Sequence, residues 1–214
     1  MSAAPSAPAA LRTVAAFDFD GTLTRHDTLV PFLMRVRGRL PVLRAMLATA
    51  PGMARAALDG DARHAAKEAL LIATLGGWWL DELRPYAADY ARHLVASELR
   101  PDRLARLRWH REQGHEVVLV SASPELYVAP TAELLGCAAT LATRLEVDRR
   151  DRLTGRIFEA NVRGPVKERR LRAWLGGTPT HLYAYGDSAG DAEMLAMADV
   201  PTLVRGGQKL TPAP

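Results

Sequence analysis

Several short apolar runs along the chain have the length and composition of buried strands. The runs at residues 14–19, 116–121 and 181–185 are rich in Val, Leu, Ala, Phe or Tyr and lead into polar residues. Continuous apolar runs bounded by turn residues are typical of parallel strands, because both faces of a parallel sheet are covered. We predict further strands at 138–142 and 200–204, and a hairpin from 145–147 and 153–157.

Between these runs, apolar residues recur every three or four positions, which is the period of an amphipathic helix. Residues 26–100 show this pattern and predict about four helices. We expect Trp78 and Trp79 to be core residues there. The predicted breaks between these helices lie near Gly38, Pro41, Pro51-Gly52 and Gly76-Gly77.

Strands that alternate with helices predict an α/β fold, a doubly wound parallel sheet with right-handed crossovers. The helical stretch 26–100 reads as an insertion between the first strand, within residues 11–25, and the rest of the α/β core at 101–206. Residues 1–10 are expected to be a disordered tail and 207–214 a flexible one. Other helices are predicted at 101–113, before Gly136, after Gly164 and at 192–198.

The first predicted strand leads into Asp18, Asp20 and Gly21. Alternation along a strand starts both carboxylates on one side, and Gly21 permits a sharp turn. Two close carboxylates repel each other unless a cation or a shared proton lies between them. Magnesium suits such a pair because it takes oxygen ligands and needs few protein carboxylates. The alternative is a strand that simply enters an acidic turn.

Polar residues also follow the other predicted strands, and each has an ordinary structural explanation. Ser121 and Ser123 flank Ala122 at the end of the second strand, where a serine is often a helix cap; Ser123, before Pro124, fits that role better. Lys167 lies in the first turn of a helix, where its charge opposes the helix dipole. Asp187 and Asp191 follow the strand at 181–185 and could form an acidic helix start. In parallel sheets, however, residues at these strand ends converge on one pocket.

The sequence Asp-Phe-Asp-Gly-Thr-Leu-Thr at 18–24 resembles the first motif of the haloacid dehalogenase superfamily, and the other three motifs follow in order at Ser121, Lys167 and 187–191. In that superfamily an insertion at this place is a cap domain on a catalytic core, which the resemblance implies here for 26–100 and for 11–25 with 101–206. The helical type of the cap resembles subfamily IB, the phosphoserine phosphatase branch. The resemblance implies that Asp18 is the nucleophile and Asp20 the acid/base. It implies that Ser121, Ala122 and Lys167 hold the phosphoryl group. The implied magnesium ligands are Asp18, Asp187 and the Asp20 carbonyl, with Asp191 supporting the metal's water or Lys167.

The chain departs from the phosphoserine phosphatase pattern in three places. Ala122-Ser123 replaces two glycines, Gly190 replaces an asparagine, and Asp27 replaces the glutamate that recognises the substrate amine. Asp27 is therefore either a substrate-binding residue or a residue of the cap hinge. The resemblance implies a phosphatase for a small or lipid phosphomonoester, of the phosphoserine, phosphatidylglycerophosphate or histidinol phosphate class. The alternatives are a phosphotransferase with an alcohol acceptor and a membrane-surface binding module.

Composition and charge favour an anionic partner. The 214 residues carry a net charge of +4, mostly from arginine, and no acidic residue occurs from Thr28 to Leu58. Contact with an anionic membrane surface would suit this stretch, whereas nucleic acid is not expected, because no pattern of basic and aromatic residues stands out. The single cysteine, Cys137, is expected in the core and fits a cytoplasmic protein, peripheral to the inner membrane face if the lipid contact exists. The five arginines of the stretch are Arg35, Arg37, Arg39, Arg44 and Arg55.

Overall fold

A five-stranded parallel sheet organises the chain in the computed structural model, which describes residues 11–56, 60–204 and 209–210, with the backbone alone for 51–56, 60 and 61. The strand order is β3-β2-β1-β6-β7, and β4 pairs with β5 as a separate antiparallel hairpin. This arrangement confirms the predicted α/β class. The strands are β1 (Arg12–Phe17), β2 (Glu116–Pro124), β3 (Ala139–Thr143), β4 (Leu145–Val147), β5 (Leu153–Ile157), β6 (Thr180–Gly186) and β7 (Val200–Leu203).

Eight α-helices accompany these strands in the described residues. Four lie in the stretch predicted as a cap, and four alternate with the strands of the sheet. Two helices of the second group begin with a proline, Pro101 and Pro165, as expected for a first helical turn. The helices are α1 (Leu29–Arg37), α2 (Arg39–Ala56), α3 (Gly60–Leu75), α4 (Leu80–His93), α5 (Pro101–Glu112), α6 (Glu125–Leu135), α7 (Pro165–Leu175) and α8 (Ala192–Ala196). Within the described ranges, no helix is both long and apolar enough to span a bilayer.

Strand β1 is central and hydrogen-bonds to β2 on one side and β6 on the other. Its side chains alternate between two apolar clusters. Phe17 lies in the cluster that continues into the helices of the insertion, whereas Val14 and Ala16 lie in the cluster under α7 and α8. Both faces of β1 are thus fully buried, which explains why its sequence is a continuous apolar run. The strand ends two residues earlier than predicted, because Phe19 belongs to the π-helical turn Phe19–Leu23.

The insertion confirms the predicted number of helices but not all of the predicted breaks. Gly38 separates α1 from α2 with a φ of +82°. Helix α2, in contrast, runs through Pro41 and Pro51-Gly52; Pro41 is tolerated because a first-turn residue has no helical partner for its backbone nitrogen. Trp78 packs against the core as predicted, but Trp79 is 47% exposed. The division into cap and core domains stays a prediction.

An aromatic cluster joins the insertion to the sheet. Phe32 of α1 lies 4.7 Å from Tyr127 of α6, and Tyr90 of α4 lies 5.4 Å from both rings, measured between ring centroids. The β4–β5 hairpin packs on the opposite part of the insertion, where the backbone of α3 comes so close to Gly155 that a side chain there would collide with Ile72. The insertion is therefore held from two sides.

The predicted tails fall mostly outside the described residues. Residues 1–10, 205–208 and 211–214 are not described, nor is the side chain of Arg55. Leu210 is described, and its backbone N–H donates a 2.8 Å hydrogen bond to Asp102. This residue is thus anchored within the stretch that we predicted as a flexible tail. Cys137 is half-buried and packs against the core cluster, as expected.

His110 of α5 is fully buried beneath the end of β6. Its Nε2 shares a 2.8 Å hydrogen bond with the Tyr185 hydroxyl, and its Nδ1 shares one of 2.9 Å with His115 Nδ1. Burial, followed by the nearby charges of His115 and Arg106, lowers the pKa of His110 to about 3. The imidazole therefore stays neutral in the folded protein at pH values where it would be protonated in the unfolded chain.

This difference predicts a loss of stability in acid. Between pH 6.5 and 3 the unfolded state binds a proton at His110 that the folded state does not, so the free energy of unfolding falls by up to about 1.4 kcal/mol per pH unit. We expect His110→Gln, an uncharged variant, to remove about 2 kcal/mol of the loss seen between pH 7.5 and 5 in denaturant titrations. His26→Gln, at an exposed position, is the control for the substitution itself. If the free energy of unfolding of His110→Gln depends on pH as strongly as that of the unmutated protein, the prediction is contradicted.

Candidate active site

The polar residues predicted from the strand ends converge at the carboxyl edge of the sheet. Asp18 directly follows β1, Ala122 and Ser123 are among the last residues of β2, and Asp187 directly follows β6. The backbone N–H of Asp18 continues the ladder to Tyr185 of β6, with a 2.9 Å hydrogen bond. The central strand and its two neighbours therefore present their end residues to one pocket, as the parallel topology requires.

Lys167 lies between two buried carboxylates. Its Nζ donates to Asp18 Oδ1 and, at 2.6 Å, to Asp191 Oδ1, and all three side chains are almost fully buried. Burial alone would lower the pKa of Lys167, but Asp18 and Asp191 raise it above its ordinary value. This lysine is thus a fixed positive charge, which explains its place in a helix turn where the dipole disfavours a cation.

Burial dominates the electrostatics of Asp18. It raises the pKa of this carboxyl to about 7, although Lys167 lowers it and Asp191 raises it further. The Thr22 hydroxyl donates a 2.9 Å hydrogen bond to Asp18 Oδ2, so both carboxylate oxygens have partners. The side chain is therefore held in one orientation at the floor of the pocket.

Three carboxylates at this point could hold a metal ion. Oxygen atoms of Asp18, Asp187 and Asp191 lie within 4.8 Å of one another. Together with Lys167 these acids carry a net charge of −2 when ionised, and burial, followed by the charge of Asp191, raises the pKa of Asp187. Oxygen donors and an excess of two negative charges fit a hard divalent cation such as magnesium. The predicted ligands Asp18 and Asp187 are thus close together, with Asp191 beside them.

The loop that carries Asp187 is fixed by Asp191. Asp191 Oδ2 accepts hydrogen bonds from the backbone N–H groups of Asp187 and Ser188 and from the Ser188 hydroxyl, at 3.0–3.2 Å. The Ser188 hydroxyl in turn accepts from the Gly190 N–H, which completes a capping box. Asp191 therefore shapes this loop and contacts Lys167, whereas its role in supporting a metal ion stays a prediction.

Asp20 lies in the turn after β1, but its carboxylate is not part of the acidic cluster. Oδ1 accepts from the backbone N–H of Thr28 at 2.8 Å and from the Thr28 hydroxyl at 2.6 Å, and Oδ2 accepts from the Ser123 hydroxyl at 2.5 Å. Burial, followed by the charge of Asp27, raises the pKa of Asp20 although these hydrogen bonds lower it. A carboxyl with a raised pKa is suited to donating a proton near neutral pH.

One of the two serines of β2, Ser123, differs from its predicted role. Ser123 does not cap α6, because its hydroxyl donates to Asp20 and the residue before the helix is Pro124. Ser121 is fully buried, and its hydroxyl oxygen accepts from the Ser123 N–H at 3.0 Å. Ala122 and Ser123 line the pocket. The binding of a phosphoryl group by Ser121 stays a prediction.

The pocket is a cavity of about 620 Å³ between the strand ends and the insertion. Asp18, Asp20 and Lys167 form its floor, and apolar residues of α1 and α3 form a wall: Leu29, Val30, Ala66 and Leu70. Asp27 also lines it, and its Oδ1 accepts a 2.9 Å hydrogen bond from the Leu29 N–H. Asp27 thus has a structural role at the start of α1 and a position at the pocket, and both roles predicted for it remain open.

Sequence reasoning missed four polar residues of this pocket, namely Arg63, Lys67, Asn161 and Arg163. Lys67 Nζ donates to the Ala122 carbonyl at 2.5 Å and to Asn161 Oδ1 at 2.8 Å. None of them lies at a strand end of the sheet, so the topology argument does not find them. One signal was available, since only three of the 28 basic residues are lysines and two of these, Lys67 and Lys167, line the pocket.

Comparisons with known proteins agree with this geometry. The haloacid dehalogenase-like hydrolase family matches residues 15–196. Protein CicA of Caulobacter vibrioides is 37% identical over 184 residues, covering 86% of this chain and 82% of that protein. A probable phosphatase of Mycobacterium tuberculosis is 30% identical over 195 residues, covering 86% of this chain and 66% of that protein.

A solved structure is similar over the same region. Substrate-bound phosphoserine phosphatase superposes with a TM-score of 0.60 at 19% identity, covering 87% of this chain and 83% of that one. At this identity the likeness concerns the fold alone. With the family match over most of its length and the acidic cluster at the carboxyl end of β1, the chain belongs to the haloacid dehalogenase-like hydrolases and has a phosphoserine phosphatase-like fold.

Proposed function

We propose that the protein is a magnesium-dependent phosphatase that hydrolyses phosphomonoesters through an aspartyl-phosphate on Asp18. The observation that carries this proposal is the buried contact of Asp18 with Lys167 beside a cluster of carboxylates that fits a divalent cation. The substrate is a phosphorylated small molecule or lipid, of the phosphoserine, phosphatidylglycerophosphate or histidinol phosphate class. Three findings support this assignment: family membership, a relative that is a probable phosphatase, and a fold similar to that of phosphoserine phosphatase.

In the first step an Asp18 carboxylate oxygen attacks phosphorus and the bond from phosphorus to the leaving-group oxygen breaks. Asp20, held by Thr28 and Ser123, donates its proton to that oxygen, so the alcohol leaves neutral. Lys167 contacts Asp18 and keeps a positive charge next to the phosphoryl oxygens.

In the second step water attacks the aspartyl-phosphate, and Asp20, now ionised, takes a proton from that water. The bond between phosphorus and Asp18 breaks, which releases inorganic phosphate and restores the carboxylate. Asp18, Asp187 and the Asp20 carbonyl would hold magnesium. When bound, the ion neutralises the charge of the carboxylates and of the phosphoryl group.

The nucleophile assignment predicts that Asp18→Asn abolishes turnover. The amide cannot form the acyl-phosphate, so we expect magnesium-dependent phosphate release to fall by at least about 10³-fold. Removal of metal with EDTA should abolish release from the unmutated protein, and added magnesium should restore it. Asp81→Asn, at an exposed position of α4, is the control and should retain full activity.

Two outcomes would contradict the assignment. Phosphate release at the unmutated rate in Asp18→Asn would exclude this nucleophile. Release that rises or falls with added alcohol would instead favour a phosphotransferase with an alcohol acceptor.

Gly21 provides a second test, because its backbone has a φ of +76° and an added Cβ would collide with the carboxylate of Asp187. We expect Gly21→Ala to lose about 1–2 kcal/mol of stability through backbone strain and to displace Asp187 as well. The magnesium concentration for half-maximal activity should therefore rise about tenfold or more.

Gly114→Ala is a matched control for this variant. Gly114 has the same φ of +76° but nothing within 4 Å of an added Cβ. In thermal unfolding, Gly114→Ala should lose about as much stability as Gly21→Ala. The magnesium concentration that gives half-maximal activity should stay that of the unmutated protein. Equal magnesium dependence in both variants would show that Asp187 does not contribute to metal binding.

We further propose that α2 contacts an anionic membrane surface. Its exposed residues Leu40, Leu43 and Leu47 lie on one stripe, next to exposed Arg39 and Arg44. Apolar side chains that enter the headgroup region, beside basic residues, are typical of peripheral binding. In this proposal the insertion faces the bilayer, so that a substrate carried on a lipid can enter the pocket from the side of α2.

The membrane proposal predicts salt-sensitive flotation with vesicles that contain anionic lipid. We expect Leu40→Ser/Leu47→Ser to reduce the bound fraction several-fold, because two apolar contacts are lost. Leu134→Ser, at a 53% exposed position of α6, is the control and should bind as the unmutated protein does. Absence of flotation at low salt would refute the proposal without affecting the phosphatase assignment.

A further inference from the structure

Two of the cations that line the pocket, Lys67 and Arg163, have no carboxylate within ion-pair distance among the described residues, although the charges of Asp20 and Asp27 act on Lys67. Lys67 is mostly buried on α3, and Arg163 lies half-buried in the segment before α7. Neither forms an ion pair with any residue that the structure describes, whereas Lys167 in the same pocket has two. Because buried charges are normally paired, these two cations are suited to an anion that comes from outside the chain.

Hydrogen-bond donors in the same part of the pocket are also unused. Lys67 has three N–H donors and uses two, for the Ala122 carbonyl and Asn161 Oδ1. Asn161 Oδ1 also accepts from the Thr143 hydroxyl at 3.0 Å, which fixes the orientation of its amide. The Asn161 amide nitrogen has no partner among the described residues. Lys67, Asn161 and Arg163 thus offer N–H groups to the cavity that they line.

The departures from the phosphoserine phosphatase pattern surround these residues. An added Cβ at Gly190 would lie 2.7 Å from the Arg163 guanidinium, so Arg163 occupies space that a side chain at position 190 would fill. The Ala122 carbonyl accepts the Lys67 ammonium, and Asp27 lines the same cavity. The three departures therefore belong to one region of the pocket, which indicates a changed binding site for the leaving group.

We propose that Lys67 and Arg163, with Asn161, bind a second anionic group on the leaving group of the substrate. The inference rests on the proposed phosphatase function, and it selects phosphomonoesters whose leaving group carries a carboxylate or a phosphodiester. Lys167 and Asp18 serve the phosphoryl group that is transferred, whereas Lys67 and Arg163 select the substrate. The apolar wall of Leu29, Val30, Ala66 and Leu70 accommodates the carbon skeleton between the two anions. A leaving group with only cationic groups, such as that of histidinol phosphate, gains nothing at this subsite.

Matched pairs of substrates test the proposal. Phosphoserine and phosphoethanolamine differ only by a carboxylate, and phosphatidylglycerophosphate and phosphatidic acid of equal acyl chains differ by a phosphodiester with its glycerol. We expect the unmutated protein to prefer the member with the second anion by at least tenfold in kcat/KM in one pair. The pair with the larger ratio identifies the source of the anion as a carboxylate or a lipid headgroup.

Variants of the subsite should remove this preference. We expect Lys67→Met and Arg163→Met each to raise KM for the anion-bearing substrate about tenfold or more and to change kcat/KM for its partner by less than about twofold. The ratio within a pair does not depend on the fraction of folded protein, so partial misfolding does not disturb the comparison. Lys209→Met removes an exposed lysine and is the control, with both ratios unchanged.

Three outcomes would overturn the inference. Equal losses on both members of a pair would show that Lys67 only joins α3 to the core or serves the transferred phosphoryl group. Unchanged ratios in the variants, or no preference in the unmutated protein, would also exclude the subsite. In each of these cases turnover that depends on Asp18 leaves the phosphatase assignment intact, whereas no Asp18-dependent turnover of any substrate would exclude that assignment itself.

Discussion

The contact of Lys167 with Asp18 and Asp191 is the interaction on which the site depends. Three charged groups are buried here, and burial of a charge is unfavourable unless it is paired and hydrogen-bonded. Lys167 contacts a carboxylate oxygen of each aspartate, so removal of any of the three side chains would leave a buried charge with one partner fewer or none. The group lies at the centre of the sheet. Asp18 follows the central strand, and Asp191 closes the loop after its neighbour β6. The net negative charge that remains favours a divalent cation.

The insertion is connected to this centre through Thr28. Its N–H and hydroxyl donate to Asp20, its hydroxyl meets Tyr127 of α6 at 3.0 Å, and its carbonyl accepts from Tyr90 of α4 at 2.9 Å. The proposed acid/base residue therefore shares hydrogen bonds with the first residues of the insertion. The orientation of the Asp20 carboxylate is thus held in part by a residue at the start of the insertion, which is itself held by two tyrosines of α4 and α6.

The sequence was sufficient for the parts of the structure that depend on local rules. Asp18 and Asp187 were found because parallel strands end at one edge, and β1 was found because both of its faces are buried. The breaks at Pro41 and Pro51-Gly52 were wrong, since a proline is tolerated in the first turn of a helix and tertiary packing can override a local signal. Ser123 was assigned as a helix cap because that is the commonest local role of such a serine, whereas its partner, Asp20, is about a hundred residues away in sequence. Lys67 and Arg163 reach the pocket from elements that the strand-end argument does not consider.

In the proposed function, chemistry and selectivity come from different parts of the molecule. The groups proposed to transfer the phosphoryl lie on the ends of β1 and β6 and on the first turn of α7, where the sheet fixes them. The groups proposed to select the leaving group lie on α3 and on the segment before α7, where a changed residue does not disturb the buried ion pairs. Gly190 shows how the two parts meet, because its missing side chain gives Arg163 room directly above the loop that holds Asp187 and Asp191. Gly190 is therefore best considered together with Arg163, whose side chain occupies the space that it leaves. Comparison of single motif positions between proteins does not reveal this relation.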